Sequence, residues 1–348
     1  MADPALQKLA LKGALSLPRP VLRLLSGGGV VYRGGRTLDP HLQFLASQAR
    51  SLPKLTEITP QEARLAHTQM LKAIEGRLEP GVAIETLTLP TEAGAVPARA
   101  YRPADQDPAA PILVFAHMGG GVFGDLDTAH VFCGILAAVA RSPVLSVDYR
   151  LAPEDRFPAG LDDVLAAYRW ARTNAGRFGA PPGQASIGGD AMGGNFAAVI
   201  CQELRRHGEP QPALQLLLYP IVDVASETPS MTTYADAYPL SAELLAWFMG
   251  HYMGPGDDPA DPRLSPIKAA DLSGLAPAVI ATAGFDPLVD QGEAYARRLR
   301  AAGTAVAYRR YDSLAHGFSV FTGMAPAADA ACREIAGLVG EANRGRGG

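Results

Sequence analysis

The chain reads as an α/β protein built on a mostly parallel sheet with helices on both faces. Three observations predict this. From about residue 112 onward, short apolar runs alternate with segments of helical periodicity. Uninterrupted apolar strands between amphipathic helices suit a sheet that is buried on both faces. The chain has 348 residues, 48% hydrophobic and 19% charged, enough to bury a sizeable core and too apolar for wholesale disorder. Its 37 glycines and 29 prolines call for many turns and shaped loops rather than long helices.

The elements follow in order. Leu6–Leu25 is apolar but interrupted by Lys8, Lys12, Pro18, Arg19, Pro20 and Arg23. It falls short of the roughly 18 apolar residues a spanning helix needs, and it lacks the uninterrupted apolar centre of a signal peptide. It reads as an amphipathic helix packed on the body, with a membrane-surface role as the alternative. Thr59-Pro60-Gln61-Glu62 is a helix start, with Thr as N-cap, Pro at the first position and an acid in the first turn. That helix runs to about Glu75. Ile84–Leu89 and Val96–Tyr101 read as an antiparallel hairpin. Ile112–Ala116, Val144–Val147, Ala185–Gly188, Leu214–Leu218 and Ala278–Ala283 read as buried strands, with Val306–Tyr311 as the last. Leu126–Ala140, Gly160–Asn174, Gly194–His207, Gln291–Ala302 and Ala327–Val339 are the helices among them. The long interval between Leu218 and Ala278 holds one helix, Ala242–Tyr252. A connection of that length is a functional insertion, placed over the carboxyl ends of the strands, where open α/β sheets bind ligands.

Charge excludes one class of function. Lys+Arg is 31 and Asp+Glu 35, for a net charge of -4, whereas a nucleic-acid binder presents a basic face to phosphate. Cys133, Cys201 and Cys332 are odd in number and far apart. They suggest neither a metal site nor a disulfide framework, so a reducing, cytoplasmic location is expected. No paired His/Asp or HExxH motif points to a metal, and no cofactor is implied.

Chemistry concentrates at four places. Gly189-Asp190-Ala191-Met192-Gly193-Gly194 lies between a strand and a helix. With serine in place of Ala191 it would be G-x-S-x-G, a turn whose flanking glycines let strand and helix approach while the central side chain projects. His117-Met118-Gly119-Gly120-Gly121 follows the Ile112–Ala116 strand, and glycines there free backbone N–H groups to face a developing oxyanion. Asp286 and His316 follow two later strands and suit an orienting acid and a general base.

Together these stretches resemble the hormone-sensitive-lipase-like branch of the α/β-hydrolases, the bacterial family IV carboxylesterases. His117 to Asp125 is similar to H-G-G-G-(F/W)-x-x-G-D. Asp148-Tyr149-Arg150-Leu151-Ala152-Pro153-Glu154 matches D-Y-R-L-A-P-E. Gly189–Gly194 resembles G-D-S-A-G-G. Phe285-Asp286-Pro287-Leu288-Val289-Asp290 and His316-Gly317-Phe318 resemble the acid and histidine motifs. The resemblance implies an eight-stranded, mostly parallel sheet. Its core would span residues 81–222 and 268–348, with a helical cap segment at 1–80 and a second cap insertion at 223–267. It places the nucleophile at Ala191, the acid at Asp286 and the base at His316. The oxyanion donors would be the N–H groups of Gly119, Gly120 and Met192. It implies a small-molecule ester substrate of short to medium acyl length, no nucleic acid, no stable membrane insertion and a homodimer. Met118, Gly121 and Trp247 are candidate substrate-binding residues. An amidase or lactonase would share the scaffold.

The chain departs from the family at three positions. Ala191 has no nucleophilic atom, so no acyl-enzyme can form there. Either serine was substituted in a working esterase, which the intact remainder of the motif set favours, or the chain is a natural pseudoenzyme that binds a small ligand. Met118 stands where the family has its first loop glycine, and is strained only if that position needs a positive φ. Gly121 stands where the family has Phe or Trp, which leaves room beside the loop and predicts tolerance of a bulkier ester. Asp290 is a rival acid read instead as a helix cap. Asp148, Arg150 and Glu154 read as a polar network under the site, and Asp190 as a hydrogen-bonding group beside the elbow. His117 reads as a structural group holding the glycine loop, and His41, His67, His130, His207 and His251 as surface or cap residues.

Overall fold

The computed structural model describes residues 4–345. The N-terminal part is helical: α1 (Pro4–Leu15), α2 (Arg19–Leu25), a two-rung hairpin of β1 (Tyr32–Arg33) and β2 (Arg36–Thr37), α3 (Pro40–Ala49) and α4 (Pro60–Ile74). Pro18 separates α1 from α2, so the apolar Leu6–Leu25 stretch forms two helices rather than one. The start of α4 is the one its sequence encodes. Thr59 Oγ1 accepts the Glu62 N–H, and the Glu62 carboxylate accepts the Thr59 N–H.

The main body follows as β3 (Val82–Thr91), β4 (Gly94–Pro103), β5 (Ile112–Ala116), α5 (His130–Ala140), β6 (Val144–Val147), α6 (Ala159–Thr173), β7 (Ala185–Asp190), α7 (Met192–Arg206) and β8 (Gln215–Leu218). The insertion carries α8 (Pro229–Thr233) and α9 (Ala242–Tyr252). The chain closes with β9 (Ala278–Phe285), α10 (Val289–Ala301), β10 (Val306–Ala315) and α11 (Pro326–Arg344). Eight strands form one sheet in the order β10-β9-β8-β7-β5-β6-β4-β3. The β3/β4 and β4/β6 pairs are antiparallel and the other five pairs parallel.

Period-two alternation divides the core between the two faces. Along β5, Ile112, Val114 and Ala116 join the cluster containing Leu145, Ile187 and Phe196. Leu113 and Phe115 join the opposite cluster with Leu216, Val279 and Ile335. The chain runs from β5 to β6 on one side and returns to β7 on the other, so a topological switch lies between β5 and β7. Ligands of open α/β sheets bind at the carboxyl ends of the strands beside such a switch, and His117, Ala191, Asp286 and His316 all sit there, just past β5, β7, β9 and β10.

Local polar chemistry shifts several boundaries. The helix expected from Leu126 begins only at His130, because Asp125 Oδ1 accepts the N–H groups of Asp127 and Thr128 and holds a turn. α10 starts at Val289 with no side-chain cap, and the Asp290 carboxylate accepts the Ser230 N–H instead, at 2.8 Å. Asp290 is therefore not a helix cap; it ties the insertion to α10.

Candidate active site

β7 runs into α7 through a single residue, Ala191, with φ 50° and ψ -108°. This is a positive φ on a residue that carries a Cβ, a conformation worth about 1–3 kcal/mol of strain. The elbow is clamped on both sides: Ala191 N–H donates to Leu218 O at 3.0 Å, and Ala191 O accepts the N–H of Ile221 at 3.1 Å. The flanking glycines are obligatory. A Cβ on Gly193 would lie 1.9 Å from Ala116 O, and one on Gly189 would lie 2.3 Å from the Gly193 carbonyl carbon. Gly193→Ala is expected to destabilise the protein by at least about 3 kcal/mol, the upper end for overpacking, because backbone and not a movable side chain blocks the space. A urea titration measures the loss.

Asp286 and His316 meet as the sequence predicts. His316 Nδ1 lies 2.8 Å from Asp286 Oδ2. Asp286 Oδ1 accepts the Leu288 N–H at 2.9 Å, which fixes the carboxylate plane. Asp286 is fully buried and His316 nearly so. The Nε2 atom of His316 has no partner among the described residues. His316 is tied to the elbow through Tyr219, whose ring centroid is 4.9 Å from that of His316 and whose hydroxyl donates to Asp190 Oδ2 at 3.0 Å. Ser319 donates to the same oxygen at 3.1 Å. Burial nevertheless pushes the Asp190 carboxyl up to about 6.

The loop after β5 is built from glycines that use the left-handed region: Gly119 at φ 124°, Gly120 at 63° and Gly121 at 75°. Met118 has no positive φ, so its side chain costs no backbone strain there. Its sulfur would lie 3.3 Å from a Cβ on Gly317, which places it between the loop and the histidine turn. The N–H groups of Gly119, Gly120 and Met192 have no partner among the described residues, as an oxyanion hole requires. His117 holds the loop from beneath. Its Nδ1 lies 2.7 Å from Met118 O, its ring stacks on Tyr149 at 4.3 Å, and Tyr149 Oη donates to His117 O. Burial lowers its pKa to about 4, so it stands neutral and structural.

Some expectations are corrected here. The space beside Gly121 is not open: a Cβ there would lie 2.6 Å from the Tyr252 ring, and one on Gly120 would lie 2.3 Å from Phe248. The aromatic wall beside Gly120 and Gly121 comes from α9 rather than from the loop. Trp247 packs against Phe248 and His251, with ring centroids at 5.5 and 4.5 Å, while Phe248 and Tyr252 meet the loop. Sequence reasoning missed those two as loop-facing residues, although their i, i+4 spacing puts them on one face of α9. It missed Arg64 altogether. From α4, Arg64 donates to Val122 O and Ala152 O, both at 2.9 Å, and pairs with Glu154. Ala152 N–H in turn donates to Gly121 O. Arg150 pairs separately with Asp163, and burial, with Asp125 nearby, raises the Asp148 carboxyl to about 6. Asp148, Arg150 and Glu154 are thus not one network.

His41 on α3 and His67 on α4, both in the N-terminal helical segment, are buried, His41 beside Asp39 at 3.0 Å and His67 with Nε2 3.2 Å from Thr128 Oγ1. Burial lowers the His67 pKa to about 3, with His117 adding to the effect. An imidazole that stays neutral when folded but titrates near 6.5 when unfolded lowers stability as pH falls through that window. His67→Gln should therefore gain on the parent chain by about 2 kcal/mol between pH 6.5 and pH 5, at about 1.4 kcal/mol per pH unit. Urea unfolding at the two pH values reads the difference.

A family model described as the alpha/beta hydrolase fold matches residues 113–320. The chain belongs to the α/β-hydrolases. Within them it is a hormone-sensitive-lipase-like member of the carboxylic ester hydrolases. It is 45% identical to the carboxylic ester hydrolase LipN of Mycobacterium tuberculosis over 87% of this chain and 82% of that protein. It is 38% identical to an ethyl acetate hydrolase of Pseudomonas putida over 81% of this chain and 90% of that protein. Among solved structures it is similar to a serine-to-alanine mutant of LAE6, an α/β hydrolase enzyme from the metagenome of Lake Arreo, Spain. That match has TM-score 0.83 and 38% identity, and covers 87% of this chain and 98% of the other.

Proposed function

We propose that this hydrolase is built to cleave carboxylic esters of short to medium acyl length by a Ser-His-Asp mechanism, with Ala191 occupying the nucleophile position. The chain as it stands binds such esters and turns them over negligibly. One observation carries the reading. A histidine oriented by a buried carboxylate at 2.8 Å, loop amides without a partner among the described residues, and a strained elbow all stand at the same carboxyl end of the sheet. These are the parts of an acyl-transfer site, complete but for one oxygen atom. The enclosing Met118, Phe248 and Tyr252 favour small acyl groups, and so does the name of the ethyl acetate hydrolase relative.

With a serine hydroxyl at position 191, His316 Nε2 takes its proton as the oxygen attacks the ester carbonyl. The N–H groups of Gly119, Gly120 and Met192 receive the tetrahedral oxyanion. His316 then protonates the departing alcohol, and water, activated by the same nitrogen, cleaves the acyl-enzyme. Asp286 keeps the proton of the neutral imidazole on Nδ1 and stabilises the imidazolium. The N-terminal helices and the 223–267 insertion cap the site. The test is Ala191→Ser assayed on p-nitrophenyl acetate and butyrate. A burst followed by steady turnover is expected; ligand binding without turnover would instead support a small-molecule receptor.

A further inference from the structure

From Pro4 to Leu38 the chain carries Lys8, Lys12, Arg19, Arg23, Arg33 and Arg36 and no acidic residue, although the whole chain has a net charge of -4. Arg33 and Arg36 are paired with Asp236 and Asp312. Lys12, Arg19 and Arg23 have no acidic partner among the described residues; Arg19 is exposed, while Arg23 is half-buried with its Nε buried and without a hydrogen-bond partner there. The same segment exposes apolar side chains. Leu22 of α2 is fully buried and anchors the helix, while Val21, Leu24 and Leu25 point away from the body, with Leu24 69% and Leu25 52% exposed. Their spacing at i, i+3 and i+4 makes one face. Leu17 precedes that face, and Val30 and Tyr32 follow it, Tyr32 at 66% exposure.

The segment that follows the patch reaches two strands that lead into the site already described. Asp39 N–H donates to Ser313 O, and Arg36 donates to Gly284 O. Those two carbonyls stand two and three residues before Asp286 and His316. An apolar face edged by unpaired cations fits one kind of partner. We propose that α2 and its flanking turns are a docking surface for an anionic lipid surface, with Leu24, Leu25 and Tyr32 entering the acyl boundary and Lys12, Arg19 and Arg23 meeting headgroup phosphates. A second copy of the chain on the same face would set these cations against each other, and nucleic acid would leave the leucines in water. No helix among the described residues is long and apolar enough to cross a membrane, so the contact is peripheral. The proposal stands on this surface alone and does not need the esterase reading.

The test is cosedimentation of the full chain with phosphatidylglycerol/phosphatidylcholine vesicles and with pure phosphatidylcholine vesicles, at about 0.05 M and about 0.5 M salt. Binding to the anionic vesicles that weakens with salt is expected. It should fall about 10-fold or more in Arg19→Glu/Arg23→Glu and in Leu24→Ser/Leu25→Ser. It should persist in Ile84→Ser, an exposed apolar position on β3 at the opposite sheet edge. Thermal melts confirm that each variant is folded. Absence of binding, equal binding to pure phosphatidylcholine, or binding that the paired variants keep would overturn the proposal. So would a dimer in sedimentation velocity that the leucine variant dissolves, since the occupant would then be a second copy.

Discussion

Ala191→Ser should raise kcat on p-nitrophenyl acetate by about 10⁶-fold, the size of the loss when subtilisin is deprived of its serine. That factor corresponds to about 8 kcal/mol of transition-state stabilisation. It should appear in one step because every other part is already assembled. Asp286 Oδ2 holds His316 Nδ1, and among the described residues the opposite nitrogen has no partner and the amides of Gly119, Gly120 and Met192 donate to nothing. The elbow is strained with alanine in it, at φ 50°. Serine inherits that backbone without new distortion, so stability should change by less than about 0.5 kcal/mol, as for other substitutions that disturb no packing. Rapid mixing gives the decisive trace: a burst of p-nitrophenol stoichiometric with the Ala191→Ser enzyme, and none with the parent chain. A variant that stays within tenfold of the parent would remove the mechanism, because no other group in the site then supplies what serine lacks.

The fold was legible wherever burial is uniform. β5 and β6 fall on the predicted residues because each is a short, fully buried and mostly apolar run that starts just after a proline, and α9 does so because Ser241 caps it. Prediction failed where a few polar atoms decide, as at Asp125, whose carboxylate delays α5 by four residues from the expected Leu126. The contact between Asp286 and His316 was legible because each residue follows a strand within a recognisable motif. Arg64 was not, because its contacts to Val122 and Ala152 cross more than 50 residues of sequence and leave no local pattern; Phe248 and Tyr252 share a face of α9, but which partner that face meets is set by the tertiary fold. Gly121 shows the limit of motif reasoning. Reading a missing aromatic as empty space assumed that the rest of the site stays as in the family, whereas here a ring from another element fills it.

In the Ala191→Ser background, Asp286→Asn should lower kcat by about 10⁴-fold with little change in KM, the size seen when the buried aspartate of a serine protease triad is replaced by asparagine. The geometry gives the reason. Asp286 Oδ1 accepts the Leu288 N–H at 2.9 Å, and an asparagine must keep its carbonyl oxygen there to avoid stranding a buried donor. Its amide nitrogen is then forced toward His316 Nδ1 and can only donate. The imidazole must carry its proton on Nε2, where it cannot accept one from the serine. The loss therefore falls on proton transfer and not on ester binding. Asp290→Asn provides the contrast. Its carboxylate accepts the Ser230 N–H of the insertion, away from the imidazole, so kcat should stay within a few-fold of the Ala191→Ser enzyme. If the two variants exchanged effects, position 290 would be the orienting acid, and the 2.8 Å contact between Asp286 and His316 would have no part in the chemistry.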